Sequence, residues 1–242
     1  YNKTMKFYDL IILCLGKNSK FYESLINKRS IERSNEEFAV TGTVRHNMKI
    51  NNAMQYFLTE GPFAILPFNK NSFSIVWTLK KEFYLKNFSN LEKIVNYKMS
   101  NIFKNRKKIK VNGLKSFPIN FNLKTKYFKK NTLVLGDGIH SIRPIAGQGF
   151  NLILRDIRKL KDLMKKKLNL GLQIKNSSLL NDFYNLRKPE NIIFGLGIEM
   201  TNSFFRKNKF LDPLKSAVLK NIDNNSFIKK FGQFVSDKGL IL

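Results

Sequence analysis

The chain opens on an apolar run, Tyr8-Asp-Leu-Ile-Ile-Leu-Cys-Leu15, that ends at Gly16. A continuous run of strand length reads as a buried parallel strand. Gly16-Lys-Asn-Ser19 predicts a turn, with a short helix from Ser19 toward Ile26. From Phe38 to Leu79 the pattern breaks into short pieces of strand composition: 39–44, 54–58, 63–68 and 73–78. The last two flank Asn69-Lys-Asn-Ser72, a hairpin signal of a looser kind than the tight two-residue turns. Strands joined by short turns predict an antiparallel sheet.

Helical spacing follows. Ser89-Asn-Leu-Glu92 fits a capping box, in which Ser and Glu satisfy each other's backbone N–H groups. Leu91, Ile94, Val95, Met99, Ile102 and Phe103 then share one helical face. Phe117 to Leu123 alternates and returns to the sheet, and Thr132-Leu-Val-Leu135 is a second buried strand ending at Gly136. A helix is predicted from Gln148 past Leu163, with Ile153, Ile157, Leu160 and Met164 on its apolar face and Gly171 in the loop beyond its end. Residues 179–205 read as mostly helical with an interruption near Pro189, and 213–234 as amphipathic helices carrying Lys215, Lys220, Lys229 and Lys230.

The stretch from Leu133 to Leu160 carries the chemistry. A buried strand delivers Gly136-Asp137 at its C-terminal end, where α/β folds place ligands, and the carboxylate suits ribose-type hydroxyls. Pro144 stiffens the loop, and Gly147-Gln148-Gly149 lets backbone pass close to a ligand without Cβ interference. The helix begins there, so its N-terminal N–H groups and positive dipole end face whatever the loop holds. An electron-rich or anionic ring such as a reduced flavin suits that arrangement. Each feature alone is weak; the spaced pattern G-D-x-x-H-x-x-x-P-x-x-G-Q-G-x-N-x-x-x-x-D-x-x-x-L is specific.

That pattern resembles the FAD-binding segment of the p-hydroxybenzoate-hydroxylase-like flavoprotein monooxygenases, and within them the ubiquinone-biosynthesis hydroxylases. The resemblance rests on Gly136, Asp137, His140, Pro144, Gly147, Gln148, Gly149, Asn151 and Asp156. It implies that Asp137 contacts the ribityl or ribose part of FAD and that Pro144 to Asn151 lies against the isoalloxazine. Gly138-Ile139 stands where the family usually has two alanines, and Ile153 where it often has glycine. Further similarity lies at Gln55-Tyr-Phe-Leu58, Gly61-Pro62, Leu66-Pro67, Val76-Trp77, Phe117-Pro118, Tyr184 and Arg187-Lys188, and loosely from Asn202 to Gly239. After the first strand Gly16 and Ser19 match the family's FAD-pyrophosphate and NAD(P)H segment, but Leu15 replaces its Asp. The G-x-G-x-x-G unit that holds the ADP part of FAD would precede Tyr1. The chain therefore reads as a C-terminal fragment that holds half of a flavin site and is inactive alone.

The expected fold is mixed α/β: an incomplete Rossmann-like FAD-binding domain, an antiparallel-sheet substrate domain and C-terminal helices. Residues 1–35 end the partial FAD-binding domain, 36–125 form the substrate domain with one helix, 126–170 supply the FAD-binding strand-loop-helix, and 171–242 form a helical region. The resemblance implies an FAD-dependent monooxygenase that hydroxylates the aromatic ring of a polyprenylated ubiquinone precursor with O2 and NAD(P)H. It assigns cofactor contacts to Gly16, Gly136, Asp137, Pro144, Gly147, Gln148, Gly149 and Asn151 and needs no catalytic protein nucleophile and no metal. The alternatives are a same-superfamily flavoprotein with another aromatic or isoprenoid substrate, and a non-catalytic remnant.

Composition sharpens this picture only in part. The 242 residues are 43% hydrophobic with 22 Phe, enough for real cores, and no run is long enough to span a bilayer. Lys and Arg number 44 against 17 Asp and Glu, a formal charge of +27. Compositional drift toward A/T-rich codons, attraction to anionic lipid, and nucleic-acid binding compete for that charge. The basic residues are dispersed and form no nucleic-acid-binding motif, so no nucleic-acid partner is expected. A prenylated substrate implies peripheral contact with the inner membrane face, and with other ubiquinone-biosynthesis proteins, for an otherwise cytoplasmic chain. The single Cys14 cannot form an internal disulfide and reads as a small buried hydrophobe. His140 reads as structural or flavin-adjacent and His46 as a surface or sheet residue. Trp77 and the sheet phenylalanines suit core or a substrate pocket, and Arg143 and Arg155 a phosphate or a solvated helix face.

Overall fold

The computed structural model describes residues 8–16, 19–26, 30–103, 109–142, 148–175, 178–205 and 226. The expected tail helices with Lys215, Lys220, Lys229 and Lys230 lie outside them, as do Arg143, Pro144 and Gly147.

Two sheets organise the described residues. The smaller has three strands in the order β1 (Ile11–Leu13), β8 (Thr132–Val134), β7 (Phe128–Lys129). β1 and β8 run parallel in the register Ile11↔Thr132 to Leu13↔Val134, so the first apolar run and the second buried strand are neighbours. β8 is buried as expected, but among the described residues β1 lies at the sheet edge, and Ile12, Cys14 and Leu15 are exposed. Position at the edge, rather than apolar content, decides their exposure; Cys14 is not a buried hydrophobe.

The larger sheet is six-stranded in the order β3 (Met54–Leu58), β4 (Gly61–Asn69), β5 (Ser72–Lys80), β2 (Ser30–Arg45), β6 (Val111–Lys124), β9 (His140–Ser141). Every pairing in it is antiparallel. β2 begins at Ser30, nine residues before the apolar stretch that announces it, because its charged first half pairs with β6 from Ser30↔Lys124 onward. It therefore runs through the boundary drawn at residue 35. The β4–β5 hairpin closes Asn69↔Ser72 over two residues, tighter than expected; a register shift after Pro67 absorbs the difference. Asn69 Oδ1 accepts the Asn71 N–H at 2.9 Å across this turn.

One sheet face buries Val40, Val44, Phe63, Ile65, Phe73, Ile75, Trp77 and Leu79 against α2 (Lys81–Lys86) and α3 (Leu91–Ile102). Trp77 is thus core, edge-on to Phe63 with ring centroids 5.6 Å apart. His46 is buried beside Phe73, not on the surface, and its Nδ1 accepts the Met48 N–H at 3.1 Å. α3 buries Leu91, Val95 and Met99 as the spacing predicts. The capping box does not form: Phe88–Asn90 make a 3₁₀ turn and Asn90 occupies the N-cap with no side-chain bond. α2 immediately before it leaves Ser89 inside a continuous turn, where it cannot act as a cap.

The second core joins the small sheet to α1 (Phe21–Leu25), α4 (Gln148–Asn169) and α5 (Ser178–Phe205), around Tyr22, Ile26, Tyr127, Leu133, Val134, Ile139, Leu160 and Phe183. α4 buries Leu152, Asp156 and Leu160, while Ile157 is exposed. The helix is rotated from the apolar face expected, because its buried stripe contains a carboxylate. α5 runs unbroken through Pro189.

Candidate functional site

Gly16 and Gly136 close the two parallel strands at the same end of the small sheet. Both take positive φ, +72° and +76°, a conformation that costs glycine little, and a Cβ on either would meet nothing within 4 Å. The pair therefore leaves open space beyond the C-terminal ends of parallel strands, where ligands of α/β sheets sit. Gly136, Asp137 and Gly138 form a 3₁₀ turn whose glycines are buried while the Asp137 side chain is exposed. The turn is held by Ile139 N–H to Gly136 O at 3.0 Å and Lys124 N–H to Ile139 O at 2.8 Å.

α4 begins at Gln148 and touches this turn. Gln148, Gly149 and Asn151 are partly buried, and a Cβ on Gly149 would stand 3.3 Å from Ile142 Cγ1. The fold thus brings Gly16, Gly136, Asp137, Gln148, Gly149 and Asn151 to one region. Pro144 and Gly147, the other expected contacts, lie outside the described residues.

Around the strand ends Tyr22 is the neighbour that sequence reasoning missed. Its hydroxyl accepts the Leu15 N–H at 2.6 Å, and its ring fills the space beside Gly138. Burial pushes the Tyr22 phenol above its usual range, opposed by the Leu15 hydrogen bond. Leu15 itself points an apolar side chain into solvent, 51% exposed.

Behind the turn lies a buried polar cluster. Asp156 is fully buried, and its Oδ2 accepts His140 Nε2 at 2.6 Å. Its Oδ1 accepts Arg187 Nε at 2.6 Å and Asn191 Nδ2 at 3.3 Å. Arg187 also donates to Asn191 Oδ1 at 2.9 Å and to the Glu190 carboxylate. Asn191 Nδ2 reaches the Tyr127 hydroxyl at 3.3 Å. Burial pushes the Tyr127 phenol far above the ordinary tyrosine range, partly opposed by that Asn191 contact. His140 is thus buried and tied to Asp156. Arg155 does not lie on a solvated helix face: its guanidinium lies 4.4 Å from the Phe194 ring centroid and 4.0 Å from Glu190. The spacing of Asp156, Arg187 and Asn191 gives no direct signal of this cluster, since a period count scores charged residues as surface.

The chemistry of this region, an exposed carboxylate and a helix N-terminus beside open strand ends, fits a flavin. Glycines leave room where the group would pass, and an exposed carboxylate stands beside the opening.

The model of the FAD binding domain family matches residues 8–185. Among curated proteins, the ubiquinone biosynthesis monooxygenase COQ6, mitochondrial, of Dictyostelium discoideum is 26% identical over 267 aligned positions, covering 91% of this chain and 54% of that protein. The ubiquinone hydroxylase UbiL of Rhodospirillum rubrum is 28% identical over 188 positions, 76% of this chain and 43% of that protein. The chain thus spans about half the length of the curated relatives it matches. Among solved structures, p-nitrophenol 4-monooxygenase PnpA from Pseudomonas putida DLL-E4 superposes with a TM-score of 0.73 at 13% identity, over 96% of this chain and 60% of that one. At that identity the likeness establishes the shared fold.

Proposed function

The chain belongs to the FAD binding domain family, and from that premise we propose that it forms the flavin-holding and substrate-facing part of an FAD-dependent monooxygenase acting on the aromatic ring of a polyprenylated ubiquinone precursor. The observation that carries the flavin reading is that Gly16 and Gly136 close a parallel strand pair at one end and that α4 touches the Gly136–Gly138 turn there. The names of the curated relatives support the substrate class.

Bound FAD, reduced by NADH or NADPH, supplies the activation of O2. The chain's own residues do the rest. Asp137 accepts hydrogen bonds from hydroxyls of the cofactor's sugar-alcohol chain. The first N–H groups of α4, from Gln148 and Gly149, stabilise negative charge at the ring. The face of the larger sheet turned away from α2 and α3 offers an apolar bed for the substrate. Cross-strand register puts Thr41, Val76 and Ala64 in one row, with Leu66 on the same face of β4 and Phe117 opposite Ala39. Phe117 and Leu66 are exposed there. Such a bed excludes water from the reacting ring and suits an aromatic ring with a prenyl chain.

The test is direct. Protein preceded by the G-x-G-x-x-G unit that the resemblance calls for is purified and supplied with FAD, NADH or NADPH, 18O2 and a phenol bearing a short prenyl chain. The expected result is a yellow protein and a product heavier by one labelled oxygen atom. A colourless protein that takes up no flavin overturns the reading.

The proposed peripheral contact with the membrane rests on the charge of +27. Among the described residues no helix is long and apolar enough to cross a membrane. Sedimentation with anionic and neutral vesicles checks the contact; equal binding to both counts against it. One observation favours a second, non-catalytic reading: Leu15 presents an exposed apolar side chain where an acid would meet a nucleotide. Folded protein that takes up no FAD would select it.

A further inference from the structure

We propose that Asp156 is a positioning residue for the flavin site: clamped between His140 and Arg187, it sets the distance between the Gly136–Asp137 turn and the N-terminus of α4. The inference rests on the flavin reading above and assigns roles that go beyond it.

The geometry of the clamp divides the site into two rigid halves. In the first, Asp137 is three residues from His140, and the segment between them is tied by the Ile139–Gly136 bond and by Lys124 on β6. His140 itself is paired with Leu123 in the β6–β9 ladder. Moving His140 therefore moves Asp137. In the second half, Gln148 and Asp156 lie on one uninterrupted helix. The bond from His140 Nε2 to Asp156 Oδ2, at 2.6 Å, joins the two halves. Arg187, at 2.6 Å on the other carboxylate oxygen, fixes the assembly to α5, and Asn191 carries it on to Tyr127.

Leverage makes the clamp matter. Residues 148 to 156 span ~12 Å at the α-helical rise, so a tilt of ~10° about Asp156 displaces Gln148 by ~2 Å. A displacement of that size is enough to remove a ring from hydrogen-bonding distance of the helix N–H groups.

Packing alone does not account for these residues. Burying a carboxylate, a guanidinium and an imidazole together carries a large desolvation cost, and well-packed apolar side chains of similar volume would hold the helices at least as well. An ionic cluster adds direction. Each oxygen of Asp156 is committed to a named donor, so the helix can neither rotate nor slide without breaking a charge-assisted bond. The carboxylates of Asp156 and Glu190 face the guanidinium groups of Arg187 and Arg155, so the two acids are matched by two bases.

The experiment uses the same purified protein, preceded by the G-x-G-x-x-G unit, and follows FAD binding rather than turnover. Asp156→Asn, Arg187→Lys, the double variant Asp156→Leu/Arg187→Leu and, for the site itself, Asp137→Ala are titrated with FAD by flavin fluorescence. Visible circular dichroism of the FAD-saturated protein reports how the ring is held, and far-ultraviolet spectra and melting report folding. Asp156→Asn is expected to weaken FAD binding on the order of tenfold or more, the loss of one charge-assisted bond, and to change the visible dichroism. Arg187→Lys keeps the charge but not the fork and should fall between it and wild type. Should Asp156→Asn fail to fold, the double variant decides, because it leaves no lone buried charge; a folded double variant with weakened FAD binding and altered visible dichroism supports the proposal. Folded variants of Asp156 with wild-type affinity and dichroism overturn it. If those appear while Asp137→Ala loses FAD, the positioning role alone falls. If Asp137→Ala binds FAD as wild type does, the site reading falls and takes this proposal with it.

Discussion

Gly138 and Tyr22 are a matched pair. A Cβ on Gly138 would lie 2.6 Å from Val134 Cγ1 and 2.7 and 2.8 Å from Tyr22 Cε2 and Cζ, too close for any carbon contact. The alanine that the resemblance leads one to expect there is opposed by the ring that reaches across to Leu15. Gly138→Ala is therefore expected to destabilise by ~1–3 kcal/mol, the usual effect of overpacking, read from urea midpoints. Tyr22→Leu in the same molecule should return part of that loss, and a double-mutant cycle with no coupling would refute the pairing. Tyr127 carries a different prediction. Its phenol is raised chiefly by burial, so the folded state holds a proton that the unfolded state releases from about pH 10 upward. Stability from this group is complete below that value and falls as the pH climbs beyond it. Tyr127→Phe should leave neutral stability within ~1 kcal/mol, because the Asn191 contact it loses is long, and should flatten the alkaline decline. Melting temperatures between pH 8 and pH 11, values chosen to straddle about pH 10, check it; identical slopes for the two proteins would sink it.

At the scale of elements, α5 sets the clearest problem. Pro189 lies well inside a helix of 28 residues, where it lacks an N–H and crowds the preceding turn. Two anchors flank it, Arg187 on Asp156 and Asn191 on Asp156 and Tyr127, and they hold the helix on both sides of the defect. Replacing Pro189 with Ala restores one backbone bond, so the melting temperature should rise, by ~1–2 kcal/mol of stability out of the ~3 that an interior proline ordinarily costs. A fall would mean that the proline shapes the contact with Asp156. This element also marks the limit of what could be read beforehand. Local rules located β3, the β4–β5 pair, α3 and α4 well, since Phe63, Ile65, Phe73, Ile75 and Trp77 alternate in plain view. They broke α5 at Pro189, because the anchors that carry it across are distant in sequence. They rotated α4, because Asp156 counts as a surface residue in any apolar tally. The spaced glycines and Asp137 were legible as a site because their pattern is local; Tyr22 and Arg187 join them only through tertiary contact.

For the whole molecule the excess of base dominates. Forty-four Lys and Arg face 17 Asp and Glu, so even full pairing leaves 27 cations without a carboxylate. Several acids are already committed within the fold: Asp156 to Arg187, Glu60 to Lys98, and Asp182 to Lys167. Unpaired like charges on one compact body repel, and folding brings them closer together than the open chain does. Salt relieves this, since the screening length falls from ~30 Å at ~0.01 M to ~8 Å at ~0.15 M, shorter than the molecule is wide. Stability should therefore rise over that interval, contrary to what a protein held by surface ion pairs would do. The buried Asp156 cluster is shielded from bulk ions, so its variants should show the same salt slope as wild type, displaced downward. Melting series in sodium chloride test both statements together. A decline with added salt would mean that surface pairing, rather than repulsion, governs the charge of this chain.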